Sequence, residues 1–315
     1  MAITLPTNAT TQSAVNLRQG PGTQFKALTL LPNRSSLQVL GETGEWLRVS
    51  INGQSGYVHR DFVVLPSQKI VSGFIISNPA VAGWALAPQR LINPPSDADS
   101  RTLQLTKIWN KYGGILQKLS DRLRIDVAVA TSVIAAESSG SGFVNGRLIL
   151  RFENHYFWRL WGKDNAAKYN NFFSFDQAQT WTKHRFRNDE NQSWIDFHGT
   201  QEGEWSAFNK AKSLNDEMAK RSISMGLPQI MGANYNLIGY ESAGLMFDNF
   251  SRDERNQVVG LFDFIQGPGT ISSKIIALQN QDFVGFAEQY NGPGQAAQYG
   301  GMLRFYFELF KLMRP

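Results

Sequence analysis

The sequence predicts an α+β protein of two domains: a small N-terminal β-barrel, then a mostly α-helical domain with a small β-hairpin. Three observations predict it. Within residues 14–65, apolar and polar residues alternate in short runs separated by glycine turns, which is the period of half-buried strands. From residue 101 onward the apolar spacing is helical, with one strand-like interruption over residues 147–152. The 315 residues exceed the usual size of a single domain. The expected division is a barrel over 1–65, a connector over 66–100 and a helical domain over 101–315.

In the barrel, Ala14-Val15-Asn16-Leu17-Arg18 alternates ahead of the turn Gly20-Pro21-Gly22. Ser36-Leu37-Gln38-Val39-Leu40 and Trp46-Leu47-Arg48-Val49-Ser50-Ile51 alternate around a turn at 41–44. Asn52-Gly53 is a strong hairpin signal and leads into Gly56-Tyr57-Val58. Five short strands in so short a stretch imply a small barrel. The connector carries Pro66, Pro79, Pro88, Pro94 and Pro95, as an irregular segment does. Phe74, Ile75, Ile76, Trp84 and Leu86 make it too apolar for a free linker, so part of it is expected to pack on the second domain.

The helical domain opens with an amphipathic run over 103–123, broken in pattern only by Gly113-Gly114. Asp126 is placed to cap a helix ending at Glu137. Later helices are announced by Thr200, by the capping-box pattern Ser251-Arg252-Asp253-Glu254 and by Asp282, with an aromatic-rich last helix over 295–313.

Composition excludes several classes of function. The chain has no cysteine, which removes disulfides, thiolate metal sites and cysteine nucleophiles. Its four histidines (His59, His155, His184 and His198) are scattered, with no pair at the i, i+4 spacing of a helical zinc site. Neither a metal nor a cofactor is expected. The net charge of +5 is spread over both halves and suits work beside anionic envelope polymers. No Lys/Arg-rich run argues for nucleic acid. Residues 1–11 show no secretory signal, and the apolar stretch 70–88 is too interrupted to span a bilayer. A monomer is expected, without stable membrane insertion, accumulating in the cytoplasm before release or nonclassical export.

Glu137 is the first candidate for chemistry. It ends an apolar helical run, Val127 to Ala136, and opens onto Ser138-Ser139-Gly140-Ser141-Gly142. Desolvation and the negative end of the helix dipole both raise the pKa of such a carboxylate, as a general acid working near neutrality needs. Ser224-Met225-Gly226-Leu227-Pro228-Gln229 puts small residues before an apolar turn bearing one amide. Ala287-Glu288-Gln289-Tyr290-Asn291-Gly292 ends a helix with an aromatic and an amide, groups suited to stacking on and bonding a sugar.

Taken in order, these motifs are similar to those of the lysozyme superfamily, notably its goose-type and lytic transglycosylase branch. Residues 100–315 more closely resemble the N-acetylmuramidase domains of modular phage endolysins. The matching text is Glu137-Ser138-Ser139-Gly140-x-Gly142-Phe143, Arg151-Phe152-Glu153-Asn154-His155-x-Phe157, Ser224-Met225-Gly226-Leu227-Pro228-Gln229-Ile230-Met231-Gly232 and Tyr290-Asn291-Gly292-Pro293-Gly294. Residues 14–65 resemble the bacterial SH3 domains of cell-wall proteins through Asn16-Leu17-Arg18, Gly20-Pro21-Gly22, Trp46-Leu47-Arg48-Val49 and Gly56-Tyr57-Val58.

The resemblance implies a lysozyme-like catalytic fold and a wall-targeting module with bacterial peptidoglycan as partner. It also implies cleavage of the β-1,4 bond between N-acetylmuramic acid and N-acetylglucosamine, in the periplasm or outside the cell. Glu137 maps onto the catalytic glutamate. Ser224, Gly226, Gln229, Tyr290 and Asn291 are candidate substrate contacts. Glu153 is the candidate second carboxylate: Ile149, Arg151 and Glu153 share one strand face, so Arg151 can hold Glu153 ionised for water activation or oxocarbenium stabilisation. The same pair also fits a structural role. Two alternatives stay open, a lytic transglycosylase giving anhydro-muramyl products and a non-catalytic wall-binding protein.

Overall fold

The computed structural model describes residues 6–11, 13–33, 35–64, 73–138, 140–268 and 272–314. Its N-terminal strands are β1 (Thr7–Thr11), β2 (Val15–Arg18), β3 (Ala27–Leu31), β4 (Ser36–Thr43), β5 (Trp46–Ile51), β6 (Gln54–His59) and β7 (Val63–Val64). They pair antiparallel in the order β3-β2-β6-β5-β4-β1-β7. The alternation read from sequence sets the inward face: Leu17, Val39, Leu47, Val49 and Val58 are fully buried in one cluster. Asn52 (φ 49°) and Gly53 (φ 80°) supply the two left-handed residues that the β5–β6 turn requires. Strands β1, β3 and β7 lie outside the alternating runs. In β3 the reason is visible, because Leu30 is 62% exposed and gives no inward–outward rhythm. The expected barrel–connector boundary at 65–66 falls outside the described residues.

The remaining elements are α1 (Ser100–Leu123), α2 (Val127–Glu137), β8 (Phe143–Val144), β9 (Arg147–Leu148), β10 (Leu150–Phe152), α3 (Asn154–Leu160), α4 (Ala166–Phe172), β11 (Phe173–Ser174), β12 (Arg185–Phe186), β13 (Ile195–Asp196), α5 (Gln201–Leu214), α6 (Asp216–Arg221), β14 (Ile223–Met225), β15 (Ile230–Met231), α7 (Ala243–Arg252), α8 (Glu254–Gln266), α9 (Ser273–Gln279), α10 (Phe283–Asn291) and α11 (Ala296–Met313). Asp99, Asp126, Thr200 and Asp282 cap their helices with side-chain oxygens, each accepting a first-turn N–H. The capping box read at 251–254 is corrected. Asp253 is the cap of α8, accepting from Arg255 N–H at 2.9 Å, while Ser251 lies in the last turn of α7.

Where one β-hairpin was expected, the described residues form three small sheets, ordered β10-β14-β15, β11-β12-β13 and β8-β9. Strands of two or three residues carry no readable periodicity, which is why two of these sheets escape the sequence.

Residues from Gly73 to Ile92 form a strap on the helical body. Ile75, Val81 and Ile92 sit in the same buried cluster as α1, α2 and α8–α11. The strap also explains the Gly113-Gly114 pair. Gly114 N–H donates to Leu86 O at 2.9 Å, and a Cβ on Gly114 would collide with the carbonyl oxygens of Ala85 and Ala87. Asn110 both accepts from Ile92 N–H and donates to Ile92 O, and Trp109 Nε1 donates to Arg90 O. Asp263 of α8 is fully buried and accepts the N–H groups of Ile75 and Ile76 at 2.6 and 3.0 Å.

A second core packs Phe152, Phe157, Phe173, Phe186 and Phe197 between α3–α7 and the small sheets. This packing gathers histidines that looked scattered. His155 in α3, His184 before β12 and His198 after β13 lie with ring centroids 5.5 Å (His155–His184) and 4.8 Å (His184–His198) apart.

Candidate active site

Helix α2 is apolar on every side, and all its residues from Ala128 to Ala135 are buried. It stops because Ser138 turns to extended backbone and returns its hydroxyl to Ile134 O at 3.0 Å. Two of the carbonyls freed at this end are taken by Gln104 of α1, whose Nε2 donates to Ala135 O and Ser138 O. Gln104 is in turn fixed by Tyr306 of α11 at 2.9 Å. The last residue of α2, Glu137, is therefore presented from a helix end that three helices hold in place.

Burial pushes the Glu137 carboxyl above its ordinary range, while hydrogen bonds from Tyr299 and Tyr290 pull it the other way. The Tyr299 hydroxyl donates to Oε1 of Glu137. Tyr290 stacks on Phe286 with centroids 5.2 Å apart and planes at 17°, and its ring lies 6.2 Å from that of Tyr299. Both phenols are themselves pushed far up by burial and by the carboxylate, so they act as hydrogen-bond donors and not as bases. The sequence identified Tyr290 but not Tyr299; the one available signal was a hydroxyl in the first turn of the aromatic-rich last helix. Asn291 is exposed at the end of α10, ahead of the left-handed Gly292 (φ 85°).

The loop after Glu137 docks on α8. Gly142 N–H donates to Glu254 Oε1 at 3.1 Å, and Lys111 completes that carboxylate at 2.7 Å. A side chain at Gly142 would overlap the carboxamide of Gln257. The same carboxamide accepts from Leu227 N–H at 2.8 Å, and it leaves no room for a Cβ on Gly226 (φ 74°). Ile149 links the two segments, donating to Gly142 O and accepting from Gly226 N–H. The buried Gln257, invisible as a motif, thus ties the Glu137 loop to the β14–β15 turn. Ser139 of the motif falls outside the described residues.

Within that turn, Ser224 donates to Gln229 Oε1 at 3.1 Å, and Gln229 Nε2 donates to Gly226 O at 2.7 Å. Gln229 is exposed and left-handed (φ 48°), with its amide committed to its own turn. Gly226 serves close packing.

Glu153 follows β10, and its N–H donates to Ser222 O, four residues from the Gly226 turn. At about 3.3 Å per residue this is roughly 13 Å along the strand. Its Oε1 accepts Arg151 Nε at 2.9 Å, and its Oε2 lies 3.5 Å from His155 Nδ1. Among the described residues no contact joins it to Glu137 or to the two tyrosines.

The model of the N-acetylmuramidase family matches residues 126–311, which is more than half of the chain and includes Glu137, Tyr290 and Tyr299. The chain belongs to that family. It is a peptidoglycan-cleaving enzyme acting on the cell wall. The bacterial SH3 domain model matches residues 13–64, so the muramidase carries a wall-binding module ahead of its catalytic region. No curated protein matches the chain. Among solved structures it is similar to the Burkholderia AP3 phage endolysin, with 24% identity, a TM-score of 0.49, and 64% of this chain and 71% of that chain covered. No helix among the described residues is long and apolar enough to cross a membrane.

Proposed function

We propose that this muramidase hydrolyses the β-1,4 bond between N-acetylmuramic acid and N-acetylglucosamine, with Glu137 as general acid. The observation that carries the reading is the desolvated Glu137 carboxyl at the end of α2, raised above its ordinary range and held by the Tyr299 hydroxyl. A carboxyl so placed keeps its proton toward neutrality and delivers it to the glycosidic oxygen as the bond breaks. Its conjugate base then takes a proton from the attacking water. Tyr290 and Asn291 are proposed to contact the glycan on one side, and the turn bearing Ser224, Gly226 and Gln229 on the other. The SH3 module brings the enzyme to intact wall.

Glu153 was expected to be a second carboxylate. Its pairing with Arg151 at 2.9 Å fits an ionised second carboxylate as well as a structural ion pair, and in the structural case Glu137 acts alone. That case also suits a second reading, a lytic transglycosylase, in which the muramyl hydroxyl replaces water. Product mass separates the two. A reducing muramic acid end supports hydrolysis, and a product lighter by one water overturns it.

Glu137→Gln keeps the shape and removes the proton donor. It should fold normally and lose about 10²–10⁴-fold in turnover on wall preparations. Retention of more than about a tenth of wild-type activity removes Glu137 from the mechanism. In the structural case Glu153→Gln should bring only a modest loss of turnover. A loss as deep as that of Glu137→Gln at unchanged Tm gives Glu153 a direct part in the reaction.

A further inference from the structure

We propose that a cavity at the N-terminal end of α2 binds an acidic peptide, the class of peptide that peptidoglycan carries on its muramyl units. The cavity encloses about 780 Å³ between the strap, α1 and the end of α11, a size within the ~300–1,000 Å³ of small-ligand sites. Val127 of α2 lines it, whereas Glu137 ends the same helix, roughly 15 Å away along the axis. Its lining shares no residue with the site around Glu137. A ligand held here is therefore not the glycan placed for cleavage.

The charge of the lining calls for an anion. Arg90 of the strap, Lys118 of α1 and Arg314 after α11 line the cavity, and among the described residues no acidic side chain does. Arg314 has a partner outside the lining, Asp126 at 3.7 Å, in a partly exposed pair of small net worth. Arg90 and Lys118 are exposed and, among the described residues, pair with no carboxylate. Carboxylates entering the cavity would supply both with charge-assisted hydrogen bonds.

The rest of the lining is more than a bare anion needs. Trp109 and Phe310, with ring centroids 5.0 Å apart, and Pro88 give it an apolar part. The Trp109 indole N–H donates to Arg90 O at 3.0 Å, which ties the apolar part to the cationic one. Gln117 gives its Nε2 to Asp121 at 2.9 Å and so leaves its carbonyl oxygen to accept a peptide N–H. An acidic peptide with small aliphatic side chains matches all three kinds of surface. A neutral oligosaccharide leaves the cations unpaired, and a polyol phosphate sets a hydrophilic chain against the rings. The enzyme would thus grip wall peptide from its catalytic body as well as from the SH3 module.

The probe is N-acetyl-L-alanyl-γ-D-glutamyl-meso-diaminopimelyl-D-alanine, titrated into the full-length chain and followed by ¹H–¹⁵N spectra. The Trp109 indole N–H resonance should move to saturation with a Kd below about 1 mM, and binding should weaken as salt rises. The double variant Arg90→Gln/Lys118→Gln, at two exposed positions, should keep the wild-type Tm and weaken binding about tenfold or more. The same peptide with its carboxylates amidated, and the tetramer of N-acetylglucosamine, should leave the Trp109 resonance in place. Poly(glycerol phosphate) should move it only at higher concentration than the peptide does. No saturation up to about 1 mM peptide overturns the proposal. So do equal binding of the amidated peptide, tighter binding of poly(glycerol phosphate), unchanged affinity in the double variant, or shifts confined to residues 13–64. Every readout is binding without turnover, so the result stands apart from the fate of Glu137 as the acid.

Discussion

Glu137 is pulled two ways by its neighbours. Burial favours its protonated form, whereas the Tyr299 and Tyr290 hydroxyls favour its anion. The balance sets where on the pH scale the acid is available. Tyr299→Phe removes one donor to the anion and leaves the burial in place, so the Glu137 carboxyl should move further up. The alkaline limb of the kcat/KM profile is expected to shift to higher pH, with the value at its optimum within about tenfold of wild type because Glu137 keeps its proton. A shift to lower pH would show that Tyr299 does not act on the anion. Tyr290→Phe should move the limb the same way, with an added loss if its hydroxyl also meets the sugar; KM against kcat separates the two effects.

Between elements, the contact most exposed to pH is the one between α8 and the strap. Burial pushes Asp263 up to about 7, against the two strap N–H groups that lower it. The folded protein thus holds this proton up to about pH 7, while the unfolded chain releases it near 3.8. Between those values the folded state binds more protons, so stability falls as pH rises. The raised carboxyl of Glu137 acts in the same direction. Asp263→Asn is expected to flatten this dependence in thermal melts between about pH 4 and 7. It should also cost about 1–3 kcal/mol, because its amide offers one acceptor where two N–H groups need partners. An unchanged pH slope would take the dependence away from Asp263.

For the whole molecule, the strap packs into the core of the folded body that carries Glu137. Ile75, Val81 and Ile92 are buried in one cluster with the helices, and Phe74 is buried beside Gly239. Each fully buried side chain of this kind contributes roughly 1.5–3 kcal/mol. Against the marginal stability of a domain, loss of all four is decisive. A fragment of residues 101–315 should therefore express as unfolded or aggregated protein, whereas residues 73–315 should fold and cleave soluble glycan. On intact wall the 73–315 fragment should be weaker than the full chain, for want of the SH3 module. Equal rates on wall would make that module dispensable for targeting. A well-folded 101–315 fragment, judged by a cooperative melt, would show the strap to be ornamental.

The sequence by itself determined the two-part architecture, the barrel face, the helix caps at Asp126, Thr200 and Asp282, and the motif segments that hold Glu137, Ser224 and Tyr290. These are local properties: residue period, capping chemistry and short ordered motifs are written within a few residues of one another. Only the tertiary structure decided that Tyr299 holds Glu137, that Gln257 joins the Glu137 loop to the Gly226 turn, and that Glu153 keeps company with Arg151 and His155. It also gathered His155, His184 and His198, which no spacing along the chain foretold. A hydrogen bond acts over about 3 Å in space, and the partners here stand up to 162 residues apart in the chain. What pairs them is the packing of whole helices and sheets, which no short window of sequence contains.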